Sequence, residues 1–261
     1  MPWLRLFRVV NLPTVPGDVL AGAAVAIWAC RHSAPLDADT VMPVAFFAVA
    51  SCFIYLFGLV DNDIVGAATD EGRPIPDGKI SMRAAKCARA VCLALGLLLV
   101  GAVGALPSYA GLAGVTAVSG LLVAFALASV IAAYNRTKRP LLMGLCRGMN
   151  VVLGVTAFLS PLFWLRLFLR APLQMCAVGS MVAAWTAYIA AVTKYSEGEE
   201  ADPARRRRVG ALVGGVIWLQ VAALAVCALL QPNLLPILAA GVALLVVRWL
   251  VRLVLPSISG S

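Results

Sequence analysis

Residues 41–63 read VMPVAFFAVASCFIYLFGLVDND: twenty uncharged residues ending abruptly in Asp61-Asn62-Asp63. An uncharged run of that length matches a helix crossing the hydrocarbon core of a bilayer. It also places carboxylates at a helix mouth, where they cost free energy unless something pairs with them. Similar runs recur outward from it. Ala90 to Asn135 is long enough for two spans hinged at Pro107-Ser108, and Val209 to Val247 for two more hinged at Gln231-Pro232-Asn233. With spans near residues 12–30, 142–164 and 172–193, the count is about eight. The runs lack apolar/polar alternation, and lipid demands internally satisfied backbones, so strands are excluded.

Composition agrees. At 62% hydrophobic and 13% charged, with a mean hydropathy of +0.95, the 261-residue chain is far too apolar for a soluble domain of its size. The expectation is an all-α polytopic membrane protein, residues 1–261 forming one integral membrane domain. If the spans alternate, one side carries 18 of the 21 Lys and Arg, leaving Arg31, Arg166 and Arg170 opposite. The positive-inside rule assigns the basic side, with both termini, to the cytoplasm of a cell membrane, plasma or inner. Nine of the twelve acids share that side, which marks it as a polar working face. The pI near 9.6 therefore reports topology, and no soluble basic segment exists to read nucleic acid. The seven Cys lack metal spacing and read as small core residues. Arg5 and Arg8 precede a full-length span containing Asp18, so the first apolar run reads as a retained helix, not a cleaved signal.

Several acids and bases could do chemistry. Asp63 and Asp70 lie seven residues apart, so a helix continuing past the membrane would project both from one face. Mg²⁺ suits such an open pair, because it takes one or two protein carboxylates plus waters and phosphate oxygens. A solvated loop balanced by Arg73, Lys79 and Arg83 is the other reading. Tyr134-Asn135-Arg136-Thr137-Lys138-Arg139-Pro140 follows the fourth span, and Arg147 and Asn150 enter the fifth. Arg147 either faces an anion such as a diphosphate, or snorkels while Gly144 and Gly148 form a helix-packing notch. Asn11 and Asp18, two turns apart on the first helix, either orient an acceptor or make a helix–helix hydrogen bond. Arg205 to Arg208 read as a topological anchor. The single His, His32, falls in an outer turn and has no assigned role, which leaves no His-based triad or His-ligated metal site in the core.

Asn62-Asp63, Asp70 and Arg73-Pro74-Ile75-Pro76-x-Gly78-x-Ile80-Ser81 together resemble the first aspartate-rich motif and following loop of the UbiA-type intramembrane prenyltransferases. Tyr134 through Lys138 resembles that family's Tyr-x-x-x-Lys element. The resemblance covers roughly residues 8–215. It implies a helical bundle around a cavity open at the cytoplasmic side, in which an isoprenyl diphosphate is held and an acceptor from the lipid phase attacks its allylic cation. By resemblance Asp63 and Asp70 hold Mg²⁺, Asn62 sets the motif, and Tyr134 and Lys138 contact the diphosphate, with Arg73 and Arg147 as further substrate-binding candidates. Two departures stand out. The middle Asp of the first motif is Gly66, and the second aspartate-rich motif is replaced by Lys194-Tyr195-Ser196-Glu197-Gly198-Glu199-Glu200-Ala201-Asp202, in which Glu197 is the best stand-in for a second metal site and a solvated turn is the other reading. No catalytic residue is singled out. The expected activity is prenyl transfer to an aromatic or other small membrane-associated acceptor; a noncatalytic relative that binds or moves an isoprenoid lipid is the alternative.

Overall fold

The computed structural model describes residues 2–30, 36, 38–70, 72–106, 112–158, 165, 168–169, 171–197 and 202–254. Its elements are α1 (Pro2–Leu6), α2 (Thr14–Ala29), α3 (Ala38–Val65), α4 (Met82–Ala102), α5 (Leu112–Thr137), α6 (Pro140–Thr156), α7 (Pro172–Ser196), α8 (Pro203–Leu230) and α9 (Leu235–Val254), with 3-10 turns at Val103–Ala105 and Pro232–Leu234. The described residues contain no strand. Six helices are long and apolar enough to cross a bilayer, and α2 and α6 are shorter apolar helices. The expectation of eight apolar helices in an integral membrane protein therefore holds, although their boundaries move.

The two short helices form the interior. At 16 and 17 residues they measure only about 24–26 Å, less than the hydrocarbon thickness. They pack closely against each other through glycine. A Cβ at Gly22 would collide with the backbone oxygen of Val151, and one at Gly154 with that of Val19, so α2 and α6 pack backbone to backbone. Gly144 and Gly148 bring α6 equally close to Thr186 of α7, which is the notch read from the sequence. Such close approach lets dispersion and weak polar contacts hold helices together where lipid removes the hydrophobic drive.

Differences from the expected spans have local causes. Helix α4 starts at Met82, not near residue 90. Ser81 caps it, its Oγ accepting from Ala84 N at 3.2 Å, and Arg83 and Lys86 lie on exposed positions of the added turns. Helix α9 runs past Val247 and takes Arg248 inside. Residues 7–13 form turns, so Asn11 precedes α2 and does not share a helix face with Asp18. The Pro107-Ser108 hinge, Arg31, His32, Arg166, Arg170, Glu199 and Glu200 lie outside the described residues. Of the seven Cys, only Cys92, Cys146 and Cys227 are buried; the other four are partly or fully exposed.

The loop after α3 is folded. Gly72 and Gly78 take φ of +78° and +70°, which only glycine adopts freely, and Ile80 N donates to Pro74 O at 3.0 Å. Ile75 and Ile80 are buried with Leu6 of α1, Val60 and Ala85. The apolar residues of the Arg-Pro-Ile-Pro-x-Gly-x-Ile segment thus anchor the loop, which leaves its charges beside the end of α3.

Candidate active site

Helix α3 ends at Val65, so Asp63 and Asp70 are not two turns of one helix as expected. They meet by a different route. The chain turns at Gly66, with Asp70 N donating to Gly66 O at 2.9 Å, and Arg73 spans both carboxylates: Nη1 lies 2.6 Å from Asp63 Oδ1 and Nε 3.2 Å from Asp70 Oδ2. Lys138 Nζ donates to Asn62 Oδ1 and lies 5.8 Å from the Tyr134 ring centroid. Lys138 has φ +53°, a left-handed conformation that a non-glycine residue holds only under constraint. Its amine is pushed below the usual lysine range, first by partial enclosure and then by Arg73 and Arg8, while Asp70 and Asp63 pull the other way. Asn62, Asp63, Asp70, Arg73, Tyr134 and Lys138 therefore form one polar mouth from α3, the following loop and the end of α5.

Asp61 points elsewhere, as its position around the helix demands. Its carboxylate accepts from Arg89 at 2.9 Å and from Asn135 Nδ2 at 2.9 Å, fastening α3 to α4 and α5.

A cavity of about 120 Å³ opens beside this mouth. Asn62, Tyr55, Tyr134 and Arg147 give it polar walls, and Ile54 and Leu127 are among its apolar ones. Ser51, Tyr55, Gly58 and Asn62 line it at the i, i+4, i+7, i+11 spacing of one helix face. Asn150 also lines it, and its Oδ1 is buried without a partner.

Behind the cavity lies a second charge cluster. Asp18 is fully buried; Arg147 Nε sits 2.9 Å from its Oδ2. Trp185 Nε1 donates to Oδ1 at 3.0 Å and Gln220 Nε2 at 2.6 Å, while Asn150 Nδ2 reaches Oδ2 at 3.4 Å. Gln220 and Arg147 also donate to Thr14 O at 2.7 and 2.9 Å. One carboxylate thus ties α2, α6, α7 and α8 together.

No protein-family model and no curated protein matches this sequence. Solved structures do match it in fold. A digeranylgeranylglyceryl phosphate synthase is 17% identical with a TM-score of 0.52, covering 99% of this chain and 91% of its own. A UbiA homologue from Archaeoglobus fulgidus is 14% identical with a TM-score of 0.51, covering 98% and 87%. The same protein solved with GPP and Mg²⁺ gives 15%, 0.50, 98% and 88%. This chain has the UbiA-type fold.

Within that UbiA-type fold the sequence candidates separate. Asn62, Tyr134 and Arg147 line the cavity, Lys138 adjoins it through Asn62, and Asp63, next to Asn62 in the chain, links to Asp70 through Arg73. Asp18 does not line it but fixes Arg147, which does. Asn11 serves the turn before α2: its carbonyl accepts from Thr14 Oγ1 at 2.7 Å. Glu197 is exposed and pairs with Lys194 at 2.8 Å. Among the described residues no group of three or more His, Cys, Asp and Glu side chains comes together as a metal cluster, so Asp63, Asp70 and Glu197 do not converge. Asp202, next in that segment, caps α8 through Ala204 N and Arg205 N.

Gly66, the departure from the UbiA-type motif, has a structural role. A Cβ there would collide with the Asp70 carboxylate, so its absence gives Asp70 room to fold back toward Arg73. The sequence reading missed Arg8 and Tyr55. Arg8 lines the cavity and, at φ +41°, is with Lys138 one of the two non-glycine residues with positive φ among those described. Tyr55 was legible, since it stands two turns before Asn62 on the same face.

Proposed function

We propose that this protein transfers an isoprenyl group from a polyprenyl diphosphate to an aromatic or other small membrane-associated acceptor, with Mg²⁺ as cofactor. The observation that carries this reading is the junction of a cationic and carboxylate mouth with a partly apolar cavity in a UbiA-type fold. A solved protein of this fold holds GPP and Mg²⁺, which supports the same substrate class here.

The residues fit Mg²⁺. Asp63, Asp70 and Asn62 offer hard oxygen donors, and the pairing of Arg73 with both carboxylates supports a cation site between them. Glu197, exposed and paired with Lys194, stands apart from this pair. When bound, the ion supplies charge stabilisation for the departing diphosphate oxygens. Lys138 donates to a diphosphate oxygen in place of Asn62, and Arg73, once released from the carboxylates, adds a guanidinium fork. Tyr134 borders the leaving group, and Ile54, Leu127 and Ile131 enclose the hydrocarbon tail. The allylic C–O bond breaks with its electron pair leaving on diphosphate. The acceptor then gives an electron pair to the allylic carbon and loses a proton. Arg147, held by Asp18, and Asn150 present donors and an unpaired acceptor oxygen to the incoming substrate.

In this reading the whole chain acts as one membrane domain of the cell membrane, with basic loops and termini in the cytoplasm and the mouth open to that side. The experiment is Mg²⁺-dependent diphosphate release from geranyl, farnesyl and geranylgeranyl diphosphates by purified protein, with lipid extract supplying acceptors. Release with a prenylated product, absent in Asp63→Ala, is expected. Equal release by Asp63→Ala would overturn the metal assignment, and saturable binding without release would favour an isoprenoid carrier.

A further inference from the structure

A second cavity, of about 500 Å³, lies between α8 and α9 and shares no lining residue with the first. Gly214, Trp218, Leu245, Arg248, Trp249 and Arg252 contribute to its walls. Arg248 is the unusual member. It is 4% exposed, and Nη1 donates to Gly214 O at 2.9 Å, while Nε and Nη2 are buried without any hydrogen-bond partner. Among the described residues no carboxylate pairs with Arg248 or Arg252. A buried guanidinium with two idle donors is costly, and more so inside a membrane, where water does not compensate it.

The surroundings specify what would compensate it. Gly214 follows Arg205, Arg207 and Arg208 by about two turns on α8, and Arg252 stands one turn beyond Arg248 on α9, so the cavity lies toward the basic ends of both helices. Trp218 and Trp249 are 63% and 60% exposed beside it, a pair of amphipathic rings of the kind that settles at a membrane interface. Leu245 and Val246 give it an apolar wall. The guanidinium fork matches tetrahedral phosphate oxygens, which would take up Nε and Nη2 after a small side-chain rotation.

We infer that the α8–α9 cavity binds the phosphate of an anionic phospholipid headgroup through Arg248 and Arg252, with an acyl chain along the apolar wall. A lipid suits the site better than a free anion, because its tails already hold the phosphate beside the hydrocarbon. This inference is independent of prenyl transfer.

The test is native mass spectrometry of lipid retained by the detergent-purified full chain, offered phosphatidylglycerol, phosphatidylcholine or inorganic phosphate. Retention of phosphatidylglycerol about tenfold above phosphatidylcholine is expected, lost in Arg248→Gln. Ala211→Phe, at an exposed position of the cavity wall, narrows the space while leaving Arg248 itself in place and should lose the same preference; it decides the matter if Arg248→Gln does not fold. Equal retention by the wild type and Ala211→Phe overturns the site. Displacement of the lipid by inorganic phosphate overturns the lipid assignment in favour of a soluble anion. Diphosphate release is not read in this test, so its failure leaves the proposed activity standing.

Discussion

Two arginine–carboxylate clusters flank one cavity, and they differ in access to water. At the mouth, the side chains of Arg73 and Asp70 are 32% and 29% exposed, while Asp63, at 6%, forms its buried edge. In the interior, those of Arg147 and Asp18 are 13% and 0% exposed, and Asp18 takes further donors from Trp185, Gln220 and Asn150. The half-exposed Arg73–Asp70 pair is the part of the mouth that, under the proposed function, exchanges its partner for a diphosphate or a metal ion. The inner pair is locked by four helices, and loss of one member strands the other. Under the proposed function, similar chemistry serves exchange in one place and assembly in the other, and burial makes the difference.

Asp18→Ala should break this contrast most severely. It leaves Arg147 buried without its counter-ion, and a loss of about 3–5 kcal/mol is expected, read as a large drop in thermal stability of the solubilised protein. A stable Asp18→Ala variant with impaired acceptor use would move Asp18 from assembly to substrate binding. Asp63→Ala should do the reverse: Arg73 keeps Asp70, the melting temperature stays near that of the wild type, and Mg²⁺-dependent diphosphate release falls roughly a hundredfold or more. Lys138→Met removes one charge-assisted donor and should weaken diphosphate binding about tenfold in a direct binding assay. Because enclosure lowers the Lys138 pKa, wild-type affinity should also begin to fall at a lower pH than a free lysine would give; above that point the amine loses its proton and its charge. Glu197→Gln touches only an exposed pair with Lys194, and a change of about twofold or less in release rate is expected. A large effect there would bring the α7–α8 segment into the site.

Much of this was legible along the chain. The apolar runs specify eight helices because a membrane-spanning helix needs only length and hydropathy. The position of Asp61 around α3 already separates it from Asp63. Gly144 and Gly148 announce a close helix contact by their spacing. Asn62, Asp63, Lys138 and Tyr134 were recognisable through short-range motifs.

Other features had no such signal. Trp185 and Gln220 sit in uniformly apolar runs, 167 and 202 residues from the Asp18 they serve. Asp70 reaches Asp63 only because the chain turns at Gly66 and Arg73 closes over both, whereas the sequence spacing suggested a continuous helix. Arg8 counted as a topological charge until the turn at residues 7–13 carried it to the cavity.

Hydropathy by itself settled that this chain is helical and built of helices that suit a membrane, since that is a sum over local free energies of transfer. Which acid meets which base was left to the packing of helices distant in sequence, because a buried charge is satisfied only by whatever the fold sets within hydrogen-bond reach.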